Sequence, residues 1–176
     1  NRIKEIVRSL GIFSHLDKAE IKAVNINEGI DGTLMILSHR LNANHKCKSI
    51  EIVKEYGDIP LVSCYAGQLN QVFMNIIGNA IDALQEKGDL IIIRTQIVKD
   101  NWVNISIIDN GPGIKEDICK KLYDPFFTTK EVGKGTGLGM AISYQIIVEK
   151  HGGFLKCISE LGKGTEFLIE IPIEAN

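Results

Sequence analysis

The segment from Gln68 to Gln85 constrains this chain more than any other. Leu69, Val72, Phe73, Ile76, Ile77, Ala80, Ile81 and Leu84 recur at spacings of three and four, so they line one side of a helix that must be buried against another layer. A second stripe, polar this time, runs along the opposite side through Gln68, Gln71, Asn75, Asn79 and Asp82. Such a stripe is ordinarily a solvated face. Solvated helices, however, favour Lys and Glu over asparagines one turn apart.

The rest of the chain alternates short strands with helices. Ala23 to Ile26 reads as a strand, and Asn27 as the cap of a helix carrying Ile30, Leu34, Leu37 and Leu41. Ile50 to Tyr56 and Leu61 to Tyr65 read as strands on either side of the turn Gly57-Asp58-Ile59-Pro60. Leu90 to Val98 and Trp102 to Asp109 form a hairpin through Lys99-Asp100-Asn101, the second strand alternating Val103, Ile105 and Ile107 against Asn104 and Ser106. A helix from Leu138 to Lys150 stops at Gly152-Gly153, and strands from Phe154 to Ser159 and Thr165 to Ile171 close the chain. This order predicts an α+β fold: a two-layer α/β sandwich whose mixed, mostly antiparallel sheet is covered on one face by about three helices. Ile3, Ile6, Leu10, Phe13 and Leu16 predict a short helix ahead of it, half of a bundle seam, so residues 1–20 are expected to end a neighbouring helical domain and residues 21–176 to form the main one.

Two glycine clusters carry the chemistry. Asp109-Asn110-Gly111-Pro112-Gly113-Ile114 stands where an alternating strand ends, a composition that common turns share. Gly133-Lys134-Gly135-Thr136-Gly137-Leu138-Gly139 runs directly into a helix. Glycines there let backbone amides approach an anion, and the helix N-terminus adds partial positive charge. The cluster is no P-loop, lacking Gly-Lys-Ser/Thr, and no dinucleotide fingerprint, lacking a strand immediately before it. With phosphates in view, the amide oxygens of Asn75 and Asn79 become plausible hard ligands for Mg²⁺.

Asn75-Ile76-Ile77-Gly78-Asn79-Ala80, Asp109-Asn110-Gly111-Pro112-Gly113, Asp124-Pro125-Phe126-Phe127-Thr128-Thr129-Lys130 and Gly133 to Gly139 stand in the order of the N, G1, F and G2 boxes of sensor histidine kinases. The chain resembles their catalytic and ATP-binding domain, of the GHKL type, from Ala23 to Pro172, and Gly162-Lys163-Gly164-Thr165-Glu166-Phe167 is similar to the family's last Gly-Thr-x-Phe element. The resemblance implies that Asn79 binds the Mg²⁺ on the ATP phosphates with Asn75 assisting, and that Asp109 accepts from the adenine amino group. Gly111, Gly113 and Ile114 would wall the base and Thr165 support its pocket, Phe127 and Thr129 would be among the cofactor-binding residues, and Phe126 and Phe127 would anchor a flexible lid. Lys130, Gly135, Thr136 and the amides of Gly137, Leu138 and Gly139 would reach the phosphates. Asp82 would also be among the cofactor-binding residues; many relatives carry a basic residue there, and the Asn-Ala-Ile-Asp-Ala form is similar to that of one branch of these kinases.

The resemblance further implies a protein-histidine kinase whose γ-phosphoryl passes to a histidine on a dimerisation domain of the same protein, a homodimer in full length, and then to a response regulator aspartate. A cytoplasmic location and a fragment that is monomeric or weakly associating go with it. GHKL ATPases such as gyrase-type topoisomerases share the fold but place a glutamate general base where Asn75 stands, and an amide takes no proton from water at neutral pH. An anti-sigma-like regulatory kinase is the further alternative. Phe13-Ser14-His15 is similar to the start of a phosphoacceptor box, but Leu16-Asp17-Lys18 does not continue it, and His15 lies too close to the ATP domain to be the acceptor. His39, His45 and His151 have no companions for ligation, and Cys47, Cys64, Cys119 and Cys157 are too scattered in sequence for a zinc site or redox pair. A formal net charge of -2 gives no general attraction to nucleic acid or an anionic membrane, and no apolar run reaches the roughly 20 residues of a membrane span.

Overall fold

A computed structural model describes residues 20–42, 48–99, 101–130 and 135–175. The expected first helix, His15, His45, Cys47, Asp100, Gly133 and Lys134 therefore lie outside the described residues. In chain order the elements are β1 (Lys22–Val24), α1 (Ile26–Ile36), α2 (Ser38–Leu41), β2 (Glu51–Tyr56), β3 (Val62–Cys64), α3 (Ala66–Leu84), β4 (Leu90–Val98), β5 (Trp102–Asp109), α4 (Glu116–Cys119), α5 (Gly139–Tyr144), β6 (Phe154–Glu160) and β7 (Gly164–Pro172).

A five-stranded sheet in the order β2-β4-β5-β7-β6 forms one layer. Only β2 runs parallel to its neighbour, β4, and the other pairings are antiparallel. Alternation decides which face is covered. Ile91 and Ile93, Val103, Ile105 and Ile107, and Phe167, Ile169 and Ile171 point inward and are buried, meeting Ile76, Ile77 and Phe73 of α3 in one core. The helices α1, α3 and α5 make the second layer, as the sequence predicts. Among the described residues no helix is long and apolar enough to cross a membrane.

Two expectations need correction. The cap of α1 is Asn25, whose side chain accepts from the Asn27 and Glu28 N–H groups at 3.0 and 3.3 Å. Asn27 lies inside the first turn, where its amide oxygen accepts from Thr95 Oγ1 at 2.8 Å and so ties α1 to the sheet. The strand at residues 62–64 does not join the main sheet. It pairs with β1 in a separate two-stranded ribbon, held to the end of β7 by Ser63 N–H donating to the Ile173 carbonyl at 2.8 Å.

The helix expected through Lys150 keeps α-winding only to Tyr144, and Gln145–Lys150 is π-helical. His151 closes this wider turn. Its backbone N–H and its ring Nδ1 both reach the Ile146 carbonyl, at 3.1 and 2.7 Å, while Tyr65 N–H donates to Nε2 at 3.1 Å. Accepting at Nε2 fixes the neutral tautomer with the proton on Nδ1. Burial also holds the imidazole below its ordinary pKa. The unfolded chain thus binds the proton more readily, so the contribution of this imidazole to stability is complete above about pH 6.5 and is lost as the pH drops through the lowered value. Thermal melts across this range should show that decline. His151→Ala should lose about 1–3 kcal/mol at pH 7 and flatten the slope.

Candidate functional site

The polar stripe of α3 is engaged by its neighbours rather than solvated. Asn75 Nδ2 donates to the Gly139 carbonyl at 3.0 Å and to Ser143 Oγ at 3.2 Å, and Gln71 Nε2 donates to Asn75 Oδ1 at 2.9 Å. Asn75 therefore clamps α3 to the first turn of α5. One turn on, Asn79 Oδ1 accepts from the Lys130 ammonium at 3.2 Å. Asp82 divides its carboxylate between two cations, Arg40 on one oxygen and Lys130 on the other.

The sheet contributes a carboxylate of opposite character. Asp109 ends β5 and is 6% exposed, and the groups that hold it are backbone N–H groups of Gly111, at 2.8 Å, and Thr165. Burial raises its pKa, opposed in part by those two N–H groups. A buried carboxylate facing a cleft favours a neutral donor over full solvation. Ser159 shapes the same corner: its hydroxyl accepts from Ile114 N–H at 2.8 Å, donates to the Gly164 carbonyl at 2.9 Å and lies 2.8 Å from Thr165 Oγ1. Sequence reasoning missed Ser159, since nothing in an edge strand marks one serine from another.

The segment after β5 folds over this corner. Gly137 and Phe126 meet backbone to backbone, both at positive φ, 71° and 65°; a Cβ on Gly137 would lie 2.2 Å from the Phe126 carbonyl carbon. Only glycine fits there. Phe127 faces the cleft as expected, but Phe126 does not anchor by burial, its side chain being 59% exposed. The anchoring falls to Leu122 and Tyr123, which pack on the core, with the Tyr123 ring 5.2 Å from that of Tyr144. The left-handed turn at Phe126 directs its side chain outward and leaves that place to Tyr123.

Together these elements enclose a cleft of about 540 Å³. Asn75, Asn79, Asp82, Asp109, Gly113, Ile114, Phe127, Thr129, Lys130, Gly135, Thr136, Gly137, Gly139 and Thr165 line it, whereas Gly111, Leu138 and Phe126 do not. Gly111 stands behind Asp109 and gives it an N–H. The Leu138 side chain is buried in the core, and its N–H donates to Thr136 Oγ1 at 3.1 Å. Ala83 and Met140, which no sequence signal marks, also line the cleft, together with Ala80 and Phe167 of the two quoted boxes. The chemistry is a buried acceptor on the sheet side and, on the helix side, the amide groups of Asn75 and Asn79 and the Asp82 carboxylate with the Lys130 ammonium against them.

The sequence profile of the family described as histidine kinase-, DNA gyrase B-, and HSP90-like ATPase matches residues 65–175, the whole span from the start of α3 through β7. The chain belongs to this family. Within the histidine kinase-like ATPases, the sensor kinase CckA of Brucella abortus (strain 2308) is 36% identical over 98% of this chain. The chain spans 19% of CckA, about a fifth of that relative's length. The catalytic domain of histidine kinase ThkA superposes with a TM-score of 0.73 at 31% identity, covering 88% of this chain and 97% of that domain. Full-length ShkA in complex with AMPPNP gives a TM-score of 0.82 at 25% identity over 98% of this chain and 36% of ShkA.

Proposed function

We propose that this chain is the ATP-binding catalytic domain of a two-component sensor histidine kinase, acting with Mg²⁺ in the cleft between α3 and the segment from Gly111 to Gly139. The observation that carries the reading is the pairing, in one cleft, of a buried carboxylate held by backbone donors with an asparagine oxygen that already attracts a cation, the Lys130 ammonium at 3.2 Å. Asp109 accepts from the adenine amino group. Asn79 would hold the metal through its amide oxygen, and Lys130, now on that oxygen, would be free to pair with the phosphates. Bound Mg²⁺ supplies charge neutralisation along the triphosphate. The chain's own work is positioning and exclusion of water, which suits a site with no nucleophile.

The transfer reading is favoured over hydrolysis by Asn75. Its amide is no base, and both its N–H donors are committed to Gly139 and Ser143. The γ-phosphoryl therefore goes to a histidine on a dimerisation domain of the same protein, which works as a cytoplasmic homodimer, and from there to a response regulator. Residues 1–20 would end that domain and residues 21–176 form the catalytic one. Calorimetry with a non-hydrolysable ATP analogue should give binding with Mg²⁺ and a loss of about tenfold or more in EDTA or in Asn79→Ala; unchanged affinity in both would refute the metal role. With labelled ATP and a separately made phosphoacceptor domain, the label should be acid-labile. Rapid ATP turnover by the chain alone would favour a gyrase- or chaperone-like ATPase.

A further inference from the structure

The helix α2 is four residues long, and in the sequence it carries no motif. It nevertheless brings a charge against α3, beside the cleft. Arg40 crosses α3 at Gly78, the residue before Asn79, where a Cβ would lie 3.7 Å from Arg40 Nη1. Its Nη2 donates to Asp82 Oδ1, while Lys130 Nζ takes Asp82 Oδ2 and donates to Asn79 Oδ1 at 3.2 Å. The three side chains are 35%, 36% and 34% exposed, so a solute can reach them. Ion pairs at such exposure add little to stability. Holding the fold together thus accounts poorly for two cations gathered on one carboxylate beside the presumed metal ligand.

We infer that Arg40 is a second phosphate-binding cation of this site, presented from α2 by Asp82 and acting beside Lys130. The inference rests on the reading of the cleft as a Mg-ATP site. Asp82 lines the cleft, and Arg40 stands one carboxylate behind it, on the side where Asn79 and Lys130 converge. A guanidinium presents two parallel donors that match phosphate oxygens, which an ammonium cannot. Asp82 is the positioning residue that keeps two like charges side by side, Arg40 on one oxygen and Lys130 on the other. Phosphates entering the cleft compete with Asp82 for both cations, so the cluster is a preformed acceptor for a polyanion.

The test uses the whole chain and two probes, Mg-AMPPNP by calorimetry and adenosine by competition against it. Arg40→Ala should weaken Mg-AMPPNP about tenfold while leaving adenosine unchanged, and Arg40→Lys should recover part of the loss. Melting curves of each variant report the fold separately. Equal weakening of both probes together with a lowered melting point would mean that Arg40 only pins α2 to α3, and would overturn the proposal, as would unchanged Mg-AMPPNP affinity in Arg40→Ala. Those failures leave the nucleotide reading intact. Absence of Mg-AMPPNP binding by the unsubstituted chain would instead bring down that reading and this inference with it.

Discussion

Replacing Asp109 with alanine should lower the affinity for an ATP analogue roughly 100-fold, equivalent to about 2.7 kcal/mol, and relax the preference for ATP over GTP. The carboxylate is 6% exposed, so a base presenting a carbonyl in place of an amino group would set two acceptors against each other with no water to mediate. The same burial that makes Asp109 selective makes it costly. Because its pKa is raised, the folded state holds the proton longer than the unfolded chain, so this carboxyl's own contribution to stability is full below the ordinary carboxylate range and is lost as the pH rises through the raised value. Asp109→Asn should therefore melt above the unsubstituted chain at pH 7, and the difference should shrink on acidification, although the variant binds ATP poorly. Calorimetry for affinity and melts from pH 4 to 8 check the two halves independently. An Asp109→Ala chain that binds ATP as before would remove the carboxylate from the site.

Gly164→Ala should be among the most damaging single substitutions in the chain, costing on the order of 3 kcal/mol and lowering the melting point by roughly 10 °C. Gly164 opens β7 at φ 119°, a region barred to side chains, and a Cβ there would sit 2.0 Å from the Asp109 carbonyl oxygen. To relieve that contact β7 must move from β5 where Thr165 pairs with Asp109. Stability and nucleotide affinity should fall together. Gly162→Ala is the control: φ is also positive, at 81°, but a Cβ would meet nothing within 4 Å, so only the backbone strain remains. A Gly164→Ala chain as stable as the Gly162→Ala chain would show that the contact is relieved at no cost.

Much of this architecture is legible in the residues because it is governed by short-range geometry. The hairpin strands Leu90–Val98 and Trp102–Asp109 have the bounds that alternation predicts, and α3 extends only two residues beyond its predicted start. A strand repeats every second residue and a helix every third or fourth, so the pattern needs no partner to be read. The glycine clusters and the Gly-Lys-Gly-Thr turn are equally local, since positive φ leaves few choices of residue.

The alternation and glycine spacing of this sequence thus determined its elements and its buried side, and the resemblance of its boxes pointed to the residues around its cleft. What only the tertiary structure decided are contacts between residues far apart in the chain. It chose Asn25 over Asn27 as the cap, because both are good caps and the deciding factor is that Thr95, 68 residues away, holds Asn27. It set β3 against β1 rather than in the main sheet. It brought Cys119 and Cys157, scattered in sequence, to 3.6 Å between sulfurs. It turned Asn75 into a clamp on Gly139 and carried Arg40 across 42 positions to Asp82. None of these leaves a periodic trace, because a long-range side-chain contact is fixed by how layers pack, and the sequence around each partner is compatible with many other neighbours.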